Sequence, residues 1–292
     1  MLYPFDRRRG GARISLLRCL ARFPRLSGDF SAAACRWVGG CLASWPVLAL
    51  LPLLAACAAP PPQPHAHDPL TWSAAIGRLD DEKDDNSCSA TLVAPDLIAT
   101  AAHCIILDGH AVDATSLTFH PNLGAAALPP AQGVKVIAVG EDKKSPARND
   151  NLDVAADWAL VRIAPPVTAV APIPIGRFNA AEIDRVLREG GELSQAGYGV
   201  YGLSVGQHLY QQGHCRRLDD DKLEAARRDY VLFTSCRPIK GDSGGPLILT
   251  KANGERYLVG VISEYQFTHG AAGRITIAAG ALGFARDVAS AQ

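Results

Sequence analysis

From residue 71 onward, short apolar runs alternate with loops that are rich in charged residues, glycine and proline. Each run has the length and composition of a buried strand, because turn-forming residues bound it on both sides. Many short strands about ten residues apart predict an all-β fold, either barrels or a sandwich. Helical spacing is confined to 180–189 and 222–229. The predicted strands are 72–79, 88–95, 97–104, 133–140, 157–163, 246–250 and 257–263.

The composition and charge exclude one class of partner. The chain has 292 residues, of which 48% are hydrophobic and 20% are charged, so a sizeable core is expected. Its formal net charge is zero, but residues 1–57 carry eight Arg against Asp6 and Asp29, which gives this segment +6 and the remainder −6. An acidic body argues against nucleic acid as a partner, because phosphate binding requires a basic patch.

The apolar run 37–56 follows Arg36 and ends in LAAC, whose cysteine is Cys57. A basic flank, an apolar core and small residues at the end are typical of an export signal. The four final residues resemble the lipobox of bacterial lipoproteins, which implies cleavage before Cys57 and acylation of that cysteine. Acyl chains would hold the protein on a membrane surface. Plain secretion and a retained membrane anchor are the alternatives.

This signal divides the chain into three expected parts. Residues 1–56 are the leader, residues 57–70 form a proline-rich extended tether, and residues 71–292 form the folded body. The expected location is the bacterial periplasm or cell envelope. Ala58, directly after the acylated cysteine, favours the outer membrane. We expect a monomer.

Three motifs in the body carry candidate chemistry. TAAHC places His103 at the end of an apolar run, DWAL places Asp157 at the head of another, and GDSGGP sets Ser243 among glycines. Each alone has a structural interpretation, such as a core histidine or a strand boundary. Together they suggest nucleophilic catalysis, because a serine hydroxyl needs an adjacent base and that base needs an orienting acid.

In the order His, Asp, Ser, these motifs resemble those of the chymotrypsin–trypsin family of serine proteases, in its bacterial branch. The resemblance covers roughly residues 72–290. It implies two six-stranded antiparallel β-barrels, about 71–178 and about 190–290, with the active site between them. It also implies a serine endopeptidase that acts on protein or peptide substrates and needs no cofactor. In such an enzyme Ser243 forms the acyl-enzyme, His103 is the general base and Asp157 is the orienting acid.

The same resemblance extends to further residues of the site. The main-chain N–H groups of Gly241 and Ser243 are expected to form the oxyanion hole. Ser263 matches the segment that pairs with the substrate backbone in relatives, and Glu264 and Tyr265 are expected to shape the same cleft.

Four cysteines of the body allow three disulfide pairings. The resemblance pairs Cys88 with Cys104 and Cys215 with Cys236. None of these cysteines forms a C-x-x-C pair, so we expect no metal site.

Two departures from the family concern activation and specificity. No I-V-G-G-like start is found to supply the amine that pairs with the Asp before the serine in relatives, so either Asp242 is satisfied otherwise or a different N-terminus is used. Lys240 is a nearby candidate partner, and a solvent-exposed lysine is the alternative interpretation. Arg237 falls where trypsin-like enzymes carry an acidic pocket residue. A preference for acidic substrate residues is expected if Arg237 lines the pocket, and an apolar pocket if it faces solvent. A third alternative for Arg237 is a buried ion pair with Glu264.

Two rival interpretations use the same serine. The GxSxG pattern also occurs at the nucleophile elbow of α/β-hydrolases. However, only 49 residues follow Ser243 and the only downstream histidine is His269, which is too little chain for that fold. The second rival is a catalytically silent or latent protein that uses the protease scaffold to bind a partner.

Overall fold

The computed structural model describes the chain in seven segments. They are residues 72–107, 109–124, 128–140, 153–201, 204–219, 227–267 and 274–292. The predicted leader, the tether, Cys57 and most of the helix predicted at 222–229 lie outside these segments. Within them, no helix is long and apolar enough to cross a membrane.

Short strands dominate the described residues. In the first half these are β1 (Ile76–Asp81), β2 (Asn86–Ala94), β3 (Leu97–Thr100), β4 (Ile106–Leu107), β5 (His110–Ala111), β6 (Leu117–Pro121), β7 (Ala131–Val139) and β8 (Ala159–Ala164). Helix α1 (Ala180–Arg188) follows. The second half contains β9 (Glu192–Gly197), β10 (Val200–Tyr201), β11 (Ser204–Val205), β12 (Tyr210–Gln212), β13 (Arg217–Leu218), β14 (Val231–Thr234), β15 (Pro246–Thr250), β16 (Arg256–Phe267), β17 (Arg274–Gly280) and helix α2 (Ala285–Ala291).

The first half is a closed antiparallel barrel. Strands β1, β2, β3, β8, β7 and β6 pair in that order, and β6 also pairs with β1. Most side chains of β2 and β3 are buried because the closed barrel surrounds its own core. The register sets Thr100 of β3 opposite Ala159 of β8. The turn after β3 and the turn before β8 therefore lie together at one end of the barrel.

The second half is a seven-stranded antiparallel sheet in the order β12, β9, β15, β16, β17, β14, β13. The all-β prediction with two halves is confirmed, whereas the strand count of the second half differs from the predicted six. The difference arises because a short strand lies at each edge, and β12 and β13 are not paired with each other among the described strands. One apolar core, which includes Ile76 of β1, Tyr198 and Ile248 of β15, is shared by both halves.

Two predicted strands end earlier or begin later than expected. The run 97–104 is a strand only to Thr100, and residues Ala102–Cys104 form a 3₁₀ turn. The run 72–79 begins with a 3₁₀ turn over Trp72–Ala75. The first of these departures matters for the site, because it takes His103 out of the barrel wall.

The helix predicted at 180–189 is confirmed as α1. Asn179 accepts a hydrogen bond from the Glu182 amide, and the Glu182 side chain accepts one from the Asn179 amide, which forms a capping box. Ile183 and Val186 bury one face of this helix against the second half. The chain between the two halves is thereby fixed on the second sheet.

Candidate active site

His103 and Asp157 meet at the end of the first barrel. His103 lies in the 3₁₀ turn after β3, and Asp157 lies at the end of a second 3₁₀ turn before β8. The His103 Nδ1 atom is 2.7 Å from Asp157 Oδ2, and the His103 main-chain N–H donates to Asp157 Oδ1 at 2.9 Å. The Asp157 side chain is buried, whereas about a third of the His103 side chain is exposed. The Nδ1 edge of the imidazole is therefore fixed by Asp157.

Ser263 gives Asp157 a third hydrogen-bond donor. The hydroxyl donates to Asp157 Oδ2 at 2.5 Å, and it comes from strand β16 of the second half. Burial on its own would raise the pKa of Asp157. The hydrogen bonds and charge of His103, together with the Ser263 hydroxyl, lower that pKa below its usual value. The carboxylate is therefore ionised at neutral pH despite its burial.

Both predicted disulfides are confirmed. Cys88 pairs with Cys104, and Cys215 pairs with Cys236. The first disulfide joins β2 to the turn of His103, and both of its sulfur atoms lie within 4.8 Å of a ring nitrogen of that histidine. It therefore fixes the histidine turn to the neighbouring strand. Two disulfides are typical of a protein folded in an oxidising compartment.

The main chain around Ser243 forms hydrogen bonds with both halves of the described structure. The Ser243 carbonyl accepts a hydrogen bond from the Ser89 amide of β2 at 2.7 Å, and the Gly244 amide donates to the Ile262 carbonyl of β16 at 2.8 Å. Gly244 has a φ of +79°, and a Cβ atom there would clash with the Thr100 side chain and the Ser89 carbonyl. Only glycine fits this position. Ser243 is therefore held against the segment that leads into His103.

Ser89 also anchors the other end of the same loop. Its hydroxyl donates to the Gly241 carbonyl at 2.8 Å and accepts from the Tyr198 amide at 2.8 Å. Nothing in the sequence singled out Ser89, which follows Cys88 in an ordinary strand pattern. Ser89 can bind both Gly241 and Tyr198 because β2 lies beside the loop of Ser243 in the fold.

The amides of Gly241 and Ser243 have no acceptor among the described residues. The Lys240 carbonyl accepts a hydrogen bond from the Val200 amide at 2.7 Å. Because the Lys240–Gly241 peptide is trans, its N–H points opposite to that carbonyl. Gly241 has a φ of +99°, which a glycine adopts without strain. Two neighbouring N–H groups are thus left available for an external acceptor.

Asp242 lies between these two amides and is 4% exposed. Its Oδ2 atom accepts a hydrogen bond from the Ile239 amide at 2.9 Å, whereas Oδ1 is buried without a hydrogen-bond partner. Burial raises the pKa of Asp242 to about 7, although the amides of Ile239 and Gly199 lower it in part. Lys240 is exposed and forms no ion pair with Asp242. Of the two interpretations of Lys240, the solvent-exposed side chain is therefore confirmed, and the partner of Asp242 is wrong.

The four predicted substrate-binding residues occupy different places. Ser263 is buried and bound to Asp157, a contact that sequence reasoning missed. Arg237 is exposed, and its amide donates to Gln212 Oε1 at 2.7 Å. Glu264 is exposed and has no ion pair with any described residue. Tyr265 belongs to β16, but its side chain lies outside the described part of the chain.

Glu264 lies within electrostatic range of the His–Asp pair. Burial raises its pKa, the charge of Asp157 raises it further, and His103 lowers it. The alternative of a buried pair between Glu264 and Arg237 is wrong, because both side chains are exposed and Glu264 has no such contact. A carboxylate without a partner therefore lies beside the histidine.

The family model described as Trypsin matches residues 61–285 of the chain. No curated protein matches the sequence. The matched range contains every described residue of the site, including both disulfides and the loop of Ser243.

Proposed function

Because the chain belongs to the trypsin family, we propose that it is a serine endopeptidase in which Ser243 is the nucleophile, His103 the general base and Asp157 the orienting acid. The observation that carries this proposal is the hydrogen bond between His103 Nδ1 and the ionised Asp157, whose carboxylate takes part in three hydrogen bonds. A neutral imidazole that donates through Nδ1 presents Nε2 as an acceptor. Nε2 is the atom that would take the proton of the serine hydroxyl.

The proposed reaction proceeds in two halves. Ser243 Oγ attacks the peptide carbonyl while His103 takes its proton, and the same proton then passes to the leaving amine. Water repeats the sequence on the acyl-enzyme and releases the acid product. Asp157 stabilises the imidazolium that forms in each half. These steps use the side chains of Ser243, His103 and Asp157 together with one water molecule.

The amides of Gly241 and Ser243 would bind the oxygen anion of the tetrahedral intermediate. Donors of this kind contribute about 3–4 kcal/mol each to the stabilisation of the transition state. Their availability, and the Val200 bond that turns the Lys240 carbonyl away from the site, support this role.

The substrate is proposed to be a protein or peptide that passes beside Ser263 and Glu264. The exposure of Arg237 favours the apolar pocket over a preference for acidic residues. Cleavage of a peptide library tests this choice. Cleavage after large apolar residues supports it, whereas cleavage after Asp or Glu would assign Arg237 to the pocket.

A latent scaffold is the second candidate function, and one observation favours it. No cation pairs with Asp242 among the described residues, so the loop of Ser243 lacks the counter-charge that relatives supply with an amine. A catalytically silent protein of this family would act by binding a partner.

Covalent labelling distinguishes the two functions. We expect a fluorophosphonate probe to label the full-length protein and the Ser290→Ala control, since Ser290 lies on helix α2, and not to label Ser243→Ala. Labelling should require His103 as well. Absence of labelling in a folded, disulfide-bonded sample at every pH from 5 to 9 would favour the scaffold.

We also propose the chain organisation and location. Residues 1–56 are the leader, residues 57–70 the tether, and Cys57 carries the lipid that attaches a monomeric body, residues 71–292, to the cell envelope. Metabolic labelling with a clickable fatty acid tests this. Incorporation into the wild type but not into Cys57→Ser is expected, and equal signal in both would refute acylation at Cys57.

A further inference from the structure

Two cysteines and the candidate general base form a cluster of atoms that can bind a metal. The sulfur atoms of Cys88 and Cys104 and a ring nitrogen of His103 all lie within 4.8 Å of one another. In the part of the chain that the structure describes, this is the one group of three histidine, cysteine or acidic side chains that meets this distance. We call it the cysteine–histidine cluster. While the disulfide is intact, neither sulfur is available as a thiolate ligand.

Reduction of the disulfide would give the cluster the ligands that zinc prefers. Two thiolates and one imidazole suit Zn²⁺, and three protein ligands leave the fourth tetrahedral position for water. Bonds of about 2.3 Å to sulfur and about 2.0–2.1 Å to nitrogen set the ligand atoms about 3.5–3.8 Å apart. Once the sulfur–sulfur bond is broken, the two sulfurs can separate to this spacing. The ring nitrogen, already within 4.8 Å of both, has to approach them by on the order of 1 Å.

Hydrogen bonds hold the three ligand residues near one another without the disulfide. Cys88 lies in β2, which pairs with both β1 and β3 in the barrel. The Cys104 amide donates to the Ala101 carbonyl at 3.2 Å, which closes the turn after β3. The His103 amide in the same turn donates to Asp157 Oδ1 at 2.9 Å. Breaking the disulfide removes none of these bonds, so the reduced protein is expected to keep the cluster together.

A zinc ion at this cluster is incompatible with the proposed role of His103. Zinc at Nε2 takes the lone pair that would accept the proton of the Ser243 hydroxyl. Zinc at Nδ1 displaces the hydrogen bond to Asp157 Oδ2, which is 2.7 Å long. Whichever ring nitrogen binds the metal, His103 can no longer act as an oriented general base.

We propose that Cys88, Cys104 and His103 bind a zinc ion when the disulfide is reduced, and that this ion keeps the reduced enzyme inactive. The effect on activity rests on the proposed endopeptidase function, whereas the metal site does not. Binding converts two thiols into thiolates and releases two protons. A disulfide donor reverses the step, because it accepts the two electrons of the thiolates while the Cys88–Cys104 bond forms and zinc leaves. The enzyme then becomes active in an oxidising compartment.

The first test measures zinc affinity independently of activity. The full-length protein is reduced with a phosphine, which becomes the phosphine oxide. It is then freed of reductant and metal without air and titrated with zinc against a chromophoric chelator. Matched variants are Cys88→Ser with Cys104→Ser, His103→Gln and, as the control, Cys215→Ser with Cys236→Ser.

We expect the wild type and the control to bind a zinc ion tightly after reduction. The first two variants should bind this ion at least about 100-fold more weakly, because loss of even an outer partner of a metal ligand costs about 10–100-fold in affinity. Wild-type affinity in either of these two variants would overturn the proposal. A chain that binds zinc through its other cysteines, or that does not fold when reduced, gives the same result as that outcome.

The second test measures whether zinc silences the protein. A fluorophosphonate probe labels Ser243 in disulfide-bonded and reduced wild type, each with and without zinc. Zinc should lower the labelling rate of the reduced protein at least about 100-fold, because general-base catalysis contributes about 10²–10⁴-fold. A chelator should restore that rate, and the disulfide-bonded protein should be unaffected. Each sample is its own reference, so a slower basal rate after reduction does not enter the comparison.

Two outcomes of the labelling test would overturn the silencing. One is a rate in the reduced protein that does not differ with and without zinc, and the other is an equal loss in both forms. Failure of the metal site also differs from failure of the endopeptidase function. A protein that is labelled but binds zinc equally in all variants is a protease without the site. A protein that is never labelled but binds zinc through the cysteine–histidine cluster has the site and lacks the function.

Discussion

Two aspartates of the candidate active site are buried to nearly the same extent, but their pKa values shift in opposite directions. Asp157, at the end of the first barrel, is fully buried, and Asp242, in a loop of the second half, is 4% exposed. Asp157 receives three hydrogen bonds, and its pKa is lowered by them although burial opposes it. The Ile239 amide donates to Asp242, and burial raises the pKa of Asp242 to about 7 although the amides of Ile239 and Gly199 lower it in part. The donors aimed at a carboxyl, and not its burial, decide its charge.

The difference matters for the proposed reaction. Asp157 has to be charged there, because it stabilises the imidazolium of His103. Asp242 differs from it in that the effect of burial prevails and opposes its ionisation.

Substitution of Asp157 breaks the charged side of this comparison and has the largest expected effect. Asp157→Asn keeps the shape but replaces an acceptor with an amide that favours the wrong tautomer of His103. We expect kcat/KM to fall about 10⁴-fold, measured on a peptide substrate at neutral pH. Asp96→Asn, which removes an exposed partner of Arg162, should change kcat/KM by less than about threefold. A loss of under about tenfold in Asp157→Asn would show that Asp157 is not the orienting acid.

Substitution of Asp242 tests the neutral side through stability. The folded-state pKa of about 7 lies above the ordinary value of 3.8 for an aspartate, so folding favours the protonated form. The contribution of Asp242 to the free energy of unfolding is fully present below about pH 4. It declines as pH rises toward 7 and is constant above that. The wild type should therefore lose on the order of 4 kcal/mol of unfolding free energy relative to Asp242→Asn between pH 4 and pH 8.

Urea unfolding of both full-length proteins at each pH measures this difference. Asp80→Asn is the matched control with the opposite sign. The pKa of Asp80 is lowered to about 2: burial raises it, but the hydrogen bonds of His120, Arg78 and Ser87 prevail. The stability that Asp80 contributes is present above about pH 4 and lost as pH falls toward 2. A wild-type curve parallel to that of Asp242→Asn from pH 4 to pH 8 would contradict the raised pKa of Asp242.

Removal of one hydrogen-bond donor from Asp157 should raise its pKa, toward the raised pKa of Asp242. Ser263→Ala deletes the hydroxyl that bonds Oδ2, and hydrogen bonds to charged groups contribute about 1.5–3 kcal/mol. We expect kcat to fall roughly 10- to 100-fold, with the loss growing as pH is lowered because Asp157 becomes easier to protonate. Ser87→Ala, which deletes a hydroxyl donor to the less buried Asp80, is the control and should leave kcat unchanged. Equal kcat in Ser263→Ala and wild type would remove Ser263 from the support of Asp157.

The sequence predicted much of this arrangement, because specific motifs encode it. TAAHC, DWAL and GDSGGP led to His103, Asp157 and Ser243, and the structure brings His103 and Asp157 into contact and sets the loop of Ser243 against the His103 segment. Both disulfide pairings and helix α1 were also predicted correctly. Local patterns suffice for these features because each depends on neighbouring residues or on a resemblance to a family.

Other features depend on contacts between distant residues and could not be predicted. Ser89 and Ser263 look like ordinary strand serines, and only the pairing of β2 and β16 with the loop of Ser243 shows what their hydroxyls bind. The raised pKa of Asp242 depends on its burial in the folded loop, which no motif records. Lys240 was the nearest cation in sequence, but the turn of the loop carries it into solvent.

The smallest effect is expected at Glu264, where a carboxyl without a partner lies near both members of the charged pair. An ionised Glu264 stabilises the imidazolium of His103, since His103 in turn lowers the pKa of Glu264. Glu264→Gln should therefore shift the acid limb of kcat/KM to lower pH by about 0.2–0.5 unit at low salt and by less at high salt, because exposed charges are screened. Glu255→Gln, in the exposed loop before β16, should leave the limb unchanged. A shift to higher pH would mean that Glu264 acts on His103 through structure and not through its charge.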